Sequence, residues 1–278
     1  MSDEPVHPTQ LTFLVTKEYR RFVEFCEACR RDHYIGLCSG PPGVGKTLSA
    51  RHYARWDAVT AALAAWQQTL DAEIAPELAT SHALVYTPTI HGTPRRMAEE
   101  LTLLAYRFND VVQAARDPSR DAPAARNSVV ELLIVDEADR LKLPGLEELR
   151  DRYDRDNFQQ GVGLVLIGMP GIERRLARYP QLYSRVGFVH QFRPLSAEEL
   201  RFIVAHKWQE LGLTFAPDDY TDAEALAAIA RITGGNFRLV QRLFAQIARV
   251  LEINQLRMIT QEVVETARES LVIGVLGD

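Results

Sequence analysis

The feature that most constrains this chain is an eight-residue loop, GPPGVGKT, at residues 40–47. It follows a short apolar run, YIGLC (34–38), and leads into a stretch of helical character, TLSARHYARW (47–56). The loop matches the spacing G-x-x-x-x-G-K-[ST] at every fixed position. Glycines let backbone N–H groups approach an anion without a Cβ in the way, and the positive end of a helix dipole favours the same anion. The pattern therefore predicts a buried strand, a phosphate-binding loop and a helix, in that order.

The ligands that this loop predicts are ATP and its Mg²⁺. Lys46 is expected to neutralise the β- and γ-phosphate oxygens, and Thr47 is expected to bind the metal. The residues expected to contact the nucleotide are Gly40, Pro41, Pro42, Gly43, Val44, Gly45, Lys46, Thr47 and Leu48. The alternative is a Gly/Pro-rich turn that matches the pattern by accident, and the flanking strand and helix argue against it.

Two acidic residues follow another buried strand farther along the chain. In LLIVDEAD (132–139), the apolar residues predict the strand, and Asp136 and Glu137 emerge at its carboxyl end, where open α/β sheets bind ligands. Asp136 is expected to hold Mg²⁺, and Glu137 is expected to polarise an attacking water. This pairing favours a hydrolase over a kinase, whose acceptor is a substrate hydroxyl. Two solvated carboxylates at a strand end are the alternative interpretation.

Strands alternate with helical stretches over the first two thirds of the chain. Apolar runs predict five strands, at YIGLCSG, ALVYTP, VVELLIVDEAD, GVGLVLIGMP and FVHQF. An amphipathic helix is predicted at residues 94–116, with Pro94 at its start. Such alternation favours an α/β fold with a parallel sheet.

The pattern changes after Pro194, because residues 196–272 show only helical periodicity. Ser196 and Glu199 have the spacing of a capping box at the start of the first of these helices. We therefore predict a five-stranded parallel core followed by a small helical lid. The predicted boundaries are an N-terminal helical segment at 1–33, a nucleotide-binding core at 34–194 and a helical lid subdomain at 195–278.

Composition limits the partners and the compartment. The net charge is −5, so binding of duplex DNA would need a local basic patch. The first residues lack a leader pattern, no apolar run approaches the roughly 20 residues of a membrane helix, and three cysteines suit a reducing compartment. We expect a cytoplasmic protein with no membrane partner. Cys26 and Cys29 form a C-x-x-C on a helical stretch, where a half-buried helix face is expected rather than a zinc or redox site.

Two arginines follow the acidic strand end. Arg185, in QLYSRVGF, precedes the fifth predicted strand, and Arg238, in TGGNFR, opens a lid helix. The loop, the acidic strand end and these two arginines follow one another in the order that AAA+ ATPases show. Residues 10–272 therefore resemble an AAA+ module. The resemblance implies an AAA+ P-loop core in which Arg185 is the arginine finger for a neighbouring subunit's nucleotide. It also implies that Arg238 is the sensor-2 arginine of the same subunit, and that the protein forms homo-oligomers.

One branch of this family is closer than the others. The stretch from ELLIVDEAD to GIERRL (131–176) and the lid sequence GGNFR (234–238) resemble the TnsC/TniB/MuB regulators of DNA transposition. The resemblance implies ATP-dependent rings or filaments on duplex DNA, which recruit a transposase, with a target-selection factor as a further partner. One position departs from the family, because Met169 stands at the sensor-1 place after the fourth strand, where a polar residue is usual. We therefore expect slow hydrolysis, which suits a switch better than a motor.

The segment TPTIHGTPRRMAEEL supplies the predicted DNA contact. Thr93, Arg95 and Arg96 stand at a helix start, where N–H groups and the dipole favour an anion and disfavour arginine. Gripping an external phosphate would explain the arginines, and in proteins resembling TnsC this segment faces the central channel. A solvated arginine pair is the alternative.

Two other functions stay open at this point. One is an origin-recognition or clamp-loader-like DNA ATPase, which shares the lid arginine. The other is a signalling or defence ATPase that assembles on a protein ligand without DNA. The ATPase rate with and without DNA separates this second alternative from the DNA-binding ones. A protein unfoldase is less expected, because HGTPRR stands where an aromatic pore loop would be.

Overall fold

The computed structural model describes residues 13–65, 72–119, 128–154 and 161–271. Within these ranges the strands are β1 (Ile35–Ser39), β2 (Ala83–Tyr86), β3 (Leu132–Val135), β4 (Gly163–Gly168) and β5 (Val186–Gln191). They pair in parallel in the order β2-β3-β4-β1-β5. The predicted α/β fold with a five-stranded parallel sheet is confirmed.

Helices connect the strands and form the carboxyl-terminal part of the chain. Those of the first part are α1 (Lys17–Asp32), α2 (Lys46–Tyr53), α3 (Trp56–Ala64), α4 (Ala75–Ala79), α5 (Pro94–Arg116), α6 (Leu143–Asp154), α7 (Ile172–Leu176) and α8 (Pro180–Tyr183). Those that follow the sheet are α9 (Ala197–Glu210), α10 (Tyr220–Thr233), α11 (Phe237–Asn254) and α12 (Gln261–Glu269). The prediction of a helix at residues 94–116 is confirmed. None of the helices in the described ranges is long and apolar enough to cross a membrane.

The sheet order explains where a ligand can bind. Strands β3 and β4 are buried along their whole length, as continuous apolar runs in a parallel sheet should be. β1 lies between β4 and the edge strand β5, whose residues alternate between half-buried and exposed. The carboxyl ends of β1, β3 and β4 therefore lie at the same end of the sheet, and this end carries the glycine-rich loop, the acidic residues and Met169.

Helix α1 packs its apolar face on the sheet. Its side chains Phe22, Cys26 and Cys29 are fully buried in the same core cluster as the strands. The expectation of a half-buried cysteine face is wrong, because α1 lies against β4 and β5 rather than at the surface. Burial raises the pKa of the Cys29 thiol to about 12, which makes it a poor nucleophile. Among the described residues, no group of three His, Cys, Asp or Glu side chains could hold a metal ion.

The helices after the sheet have a core of their own. Leu200, Trp208, Ile229 and Phe244 are among the buried residues that α9 to α12 pack together. The capping box that the sequence predicts at Ser196 and Glu199 is present at the start of α9.

The helix after the loop is shorter than predicted, and a basic stretch near β5 forms two short helices. The helix after the loop ends at Tyr53, because Arg55 adopts a left-handed conformation with φ 53° before α3 begins. The basic stretch 171–185 divides into α7 and α8, and Pro180 begins the second of these. Proline cannot donate the N–H that a continuous helix would need.

Candidate nucleotide-binding site

The glycine-rich loop turns sharply between β1 and α2. Gly43 and Gly45 have φ values of 80° and 111°, which only glycine adopts without strain. Gly45 is also the N-cap of α2 and offers no side chain to the first turn. The first N–H groups of α2 therefore face the loop without an internal acceptor, as an anion-binding helix start requires.

The ammonium of Lys46 lies inside this loop. Its Nζ donates to the carbonyl of Gly40 and, at 2.8 Å, to the carbonyl of Pro41. Burial lowers the pKa of Lys46, while nearby negative groups that include Asp136 oppose the shift. A half-buried cation held by carbonyl oxygens is suited to binding an anion in the same loop.

The loop and the acidic strand end are in direct contact. Thr47 Oγ1 donates to Asp136 Oδ2 at 2.7 Å, and the other oxygen of Asp136 accepts from the backbone N–H of Glu137 at 2.9 Å. Asp136 is only 4% exposed. A hydroxyl beside a buried carboxylate provides the hard oxygen donors that Mg²⁺ prefers. The described residues therefore fit a magnesium ion at this place.

Glu137 is held in an uncommon conformation. Its φ of 54° is left-handed, which is rare for a residue with a side chain and costs free energy. Its carboxylate is half-exposed, lines the cavity over the loop and pairs with the guanidinium of Arg140. The backbone strain and the exposure mark Glu137 as a candidate functional residue.

A carboxylate that the sequence analysis did not single out lies beside Met169. Asp139 Oδ2 accepts the backbone N–H of Met169 at 2.6 Å, and Arg175 donates to the Asp139 carbonyl at 2.6 Å. Asp139 lines the same cavity as Lys46 and Glu137. The sensor-1 place thus has a carboxylate from the β3 end although Met169 is apolar. Asp139 could have been predicted from its place three residues after Asp136, close to the same strand end.

The start of α11 closes this cavity, which we call the phosphate-loop cavity and which has a volume of about 220 Å³. The Arg238 backbone N–H donates to the Gly43 carbonyl at 2.9 Å, and Asn236 Nδ2 donates to the Pro42 carbonyl at 2.8 Å. Gln241, one helical turn beyond Arg238, also lines the cavity. It was not predicted, although its spacing from Arg238 places both residues on the same face of the helix. The cavity brings together Lys46, Thr47, Asp136, Glu137 and Arg238.

An apolar cavity of about 90 Å³ adjoins the loop on its other flank. It shares Leu48 and Phe237 with the phosphate-loop cavity and is also lined by Leu14, Tyr19 and Phe192. The segment before α1 and the end of β5 therefore contribute to the candidate site. Leu14, Tyr19 and Phe192 were not predicted to lie at the site, because an isolated apolar residue gives no sign of facing a cavity.

Arg185 lies away from both cavities. The Arg185 carbonyl accepts the N–H of Ile35, the first residue of β1, at 3.2 Å. The glycine-rich loop begins at the other end of β1, after Ser39. The five residues of β1 at roughly 3.3 Å each separate the two places. The Arg185 guanidinium forms two hydrogen bonds of 2.7 Å with the Asp154 carboxylate. Arg185 is therefore not part of the site that the glycine-rich loop forms in the same chain.

The predicted DNA contacts lie at the start of α5. Thr93 is the N-cap, and its Oγ1 accepts the N–H of Arg96 at 3.2 Å. Arg95 pairs with Glu99 at 3.0 Å and Arg96 pairs with Glu100 at 2.8 Å, one helical turn on in each case. The side chain of Arg95 is 90% exposed. These partners give the arginines a local role that the sequence argument did not consider, while leaving them at the surface.

Comparison with known proteins identifies the family. Residues 29–176 match the AAA domain family. The chain is also 44% identical over 270 residues to a "Potential ATP-binding protein" of Staphylococcus aureus, with 95% of this chain and 97% of that protein covered. The chain belongs to the AAA domain family, and its fold is a nucleotide-binding one.

Relatives with more specific names are less similar. The chain is 27% identical over 244 residues to the "Mu-like prophage FluMu DNA transposition protein B" of Haemophilus influenzae, with 84% of this chain and 71% of that protein covered. Among solved structures, the Thermotoga maritima RuvB Holliday junction branch migration motor has a TM-score of 0.58 at 20% identity, covering 95% of this chain and 72% of RuvB. The Aeropyrum pernix ORC1 protein, solved in complex with DNA, has a TM-score of 0.54 at 22% identity, covering 91% of this chain and 64% of ORC1. These two structures share the AAA+ fold.

Proposed function

We propose that this AAA protein is an ATP-hydrolysing regulator of DNA transposition. It assembles with copies of itself on duplex DNA and recruits or activates a transposase at the target, together with a target-selection factor. The observation that carries the proposal is the likeness to DNA transposition protein B, which extends over 84% of this chain and thus includes both the sheet and the lid.

The phosphate-loop cavity would bind the triphosphate. Lys46 would exchange the loop carbonyls that it now contacts for phosphate oxygens, since an anion is the stronger acceptor. Thr47 and Asp136 would hold Mg²⁺, which neutralises charge on the phosphates when bound. Glu137 would orient a water molecule and accept its proton, and the side chain of Arg238 would contact the phosphates from the lid of the same subunit.

The apolar cavity would receive the adenine base. Leu48 and Phe237 lie between the two cavities, so a nucleotide can extend from one into the other. The flat faces of the base would pack on apolar side chains such as these, which favours burial of the base out of water. Because residues before α1, the end of β5 and α11 all line this cavity, a bound base would join the sheet part of the molecule to the lid.

Asp139 would supply the polar group that Met169 lacks. Its carboxylate is fixed by the Met169 N–H and lies within the electrostatic reach of Lys46. A carboxylate can accept from a water or approach Mg²⁺, but it repels the γ-phosphate, which a neutral polar side chain would not do. Slow hydrolysis is the expected consequence, as a nucleotide-dependent switch requires.

Assembly would complete the site. Arg185 cannot reach its own phosphate-loop cavity, because β1 separates them, so it would act on the nucleotide of a neighbouring subunit. Its bidentate contact with Asp154 must then open, and that pair is only partly buried. Arg95 and Arg96 would face the DNA, and repetition of their weak contact along an assembly would give sequence-independent binding.

The decisive experiment measures ATP hydrolysis with and without random-sequence duplex DNA, and images the protein with a slowly hydrolysed ATP analogue. Rings or filaments around the duplex, together with a DNA-stimulated rate, are the expected result. A rate indifferent to DNA would favour the signalling or defence alternative. Assemblies that form only at a defined sequence would favour the origin-recognition alternative. Recruitment is tested by pull-down of a candidate transposase on the DNA-bound protein.

A further inference from the structure

A cavity of about 240 Å³ lies between the loop after β2 and the turn that leads into α6, and we call it the β2-loop cavity. Residues from Pro88 to Pro94 form one wall, and residues from Arg140 to Gly145 contribute to the other. It is thus bounded by the segment that immediately precedes the proposed DNA-contacting arginines, yet neither Arg95 nor Arg96 lines it.

The charges around this cavity have one sign. Arg140 and Lys142 line it, and none of its lining residues, all of which the structure describes, carries a carboxylate. By contrast, the phosphate-loop cavity contains three carboxylates beside its two cations. The whole chain has a net charge of −5, so a cavity whose charged lining residues, Arg140 and Lys142, are both basic departs from the average surface. Such a lining attracts an anion.

Lys142 is an exposed cation that lines this cavity. No ion pair or hydrogen bond joins its ammonium to another described side chain, whereas Arg95 and Arg96 each have a carboxylate partner. An ammonium without a competing carboxylate loses less on binding an external phosphate. Lys142 therefore has an electrostatic advantage over the two arginines as a phosphate contact.

Arg140 connects this cavity to the nucleotide site. Its guanidinium pairs with the Glu137 carboxylate through Nη2 and donates to the Pro88 carbonyl through Nη1 at 3.2 Å. Glu137 lines the phosphate-loop cavity, and Arg140 lines the β2-loop cavity. The ion pair is partly exposed on both sides, and such pairs are weak enough for a phosphate to displace one partner.

We propose that the β2-loop cavity binds a phosphate of the duplex DNA backbone through Arg140 and Lys142, and that this phosphate competes with Glu137 for Arg140. A carboxylate engaged by a guanidinium is fixed in one orientation and is not free to orient a water molecule. Binding of DNA therefore releases Glu137 and raises the rate of hydrolysis. This inference rests on the proposed function, because it assumes that the protein binds duplex DNA and hydrolyses ATP.

The binding half of the inference is tested with the full chain and a random-sequence duplex. Dissociation constants are measured over a series of salt concentrations in the presence of a slowly hydrolysed ATP analogue. A plot of the logarithm of the association constant against the logarithm of the salt concentration gives a slope. Loss of one phosphate contact per subunit should reduce the magnitude of this slope by roughly 0.9 for each bound subunit. Lys142→Gln should show this decrease. Arg257→Gln, which removes the same charge from an exposed place between α11 and α12, is the matched control and should keep the wild-type slope.

The coupling half is tested by the ratio of ATPase rates with saturating DNA and without it. Arg140→Gln should raise the rate without DNA and bring this ratio close to one, because Glu137 is then free in both conditions. Lys142→Gln should keep a ratio above one at saturating DNA, but should need more DNA to reach it. Thermal melting and nucleotide binding of each variant establish that it is folded.

The outcomes separate this inference from the proposed function. If the wild-type protein does not bind duplex DNA, the proposed function fails and this inference fails with it. If the wild type binds DNA but Lys142→Gln keeps the full salt slope, the cavity is not the phosphate site and the inference alone is overturned. A folded Arg140→Gln protein that keeps the wild-type stimulation ratio would overturn the competition for Arg140.

Discussion

Lys46 and Glu137 line the same cavity, but they carry charges of opposite sign and would act at different steps. The lysine would contribute to binding the triphosphate, because its ammonium lies within the loop. The glutamate would contribute to the chemical step, because its carboxylate is directed by a strained backbone and remains accessible to water. Substitution at the two positions should therefore affect different measurements.

We predict that Lys46→Ala loses ATP binding, whereas Glu137→Gln binds ATP and hydrolyses it ~10²–10⁴-fold more slowly. The amide of Gln keeps the size of the carboxylate but cannot accept the proton. Titration with a fluorescent ATP analogue measures the first effect, and phosphate release measures the second. Full hydrolysis by Glu137→Gln would show that the residue has no part in the chemical step.

At the scale of elements, the start of α5 offers a test of the predicted DNA contact. Changing Arg95 and Arg96 together to Ala should weaken binding of any duplex and reduce its salt dependence, without loss of ATP binding. Because each arginine also pairs with a glutamate of α5, Glu99→Gln with Glu100→Gln is an informative comparison. Freeing the arginines in this way should strengthen DNA binding. If the variant with both arginines changed to Ala still binds DNA with unchanged salt dependence, the DNA contact lies elsewhere.

The contact between α1 and α9 should make stability depend on pH. Glu199 accepts the backbone N–H of Glu18 at 2.8 Å as well as that of Ser196. Burial favours a raised pKa for Glu199, but the hydrogen bonds outweigh it and the pKa lies below its ordinary value of 4.5. Glu18 is also buried, and its pKa is lowered in the same way by His190 and the N–H of Arg193.

Both carboxylates have folded pKa values below the unfolded ones, so the stability they contribute is fully present above about pH 4.5 and is lost as the pH falls through the folded values. Glu199→Gln should be less stable at neutral pH by about 1–3 kcal/mol, as expected for a disrupted buried hydrogen-bond network. It should also lose less stability on acidification than the wild type. Denaturant unfolding at several pH values measures both effects. Glu198→Gln, which affects an exposed neighbour paired with Lys17, is the control. Parallel pH curves for wild type and Glu199→Gln would contradict the assignment.

At the scale of the whole molecule, the position of Arg185 predicts action between subunits. Arg185→Ala should keep nucleotide binding but lose hydrolysis in the assembled protein. Mixing it with Lys46→Ala should restore part of the activity, because one interface in the mixture then combines an intact loop with an intact arginine. Arg238→Ala should impair nucleotide binding within its own subunit and should not complement in the same way. An inactive mixture that assembles normally would count against action in trans.

Much of the fold could be predicted because its signals are local. Apolar runs identified the five strands of the described residues, and both predicted ends of α5 agree with the structure. Local patterns failed where a single backbone conformation decided the result, as at Arg55, whose left-handed φ ends α2. They also failed for Cys26 and Cys29, because the depth of burial of a helix face depends on what covers it.

The sequence by itself determined which groups are available: a glycine loop with one lysine, a strand that ends in Asp136 and Glu137, and helices after the sheet. Only the tertiary structure decided which of them meet. Thr47 and Asp136 are 89 residues apart, and Asn236 and Pro42 are 194 residues apart, yet each pair forms a hydrogen bond. The first contact follows from the strand order β2-β3-β4-β1-β5, which periodicity along the chain does not specify. The second requires the start of α11 to lie against the loop. Asp139 beneath Met169 and the apolar cavity beside the loop also depend on which strand ends and helices lie side by side, whereas the pair of Glu137 with Arg140 is a local contact three residues apart.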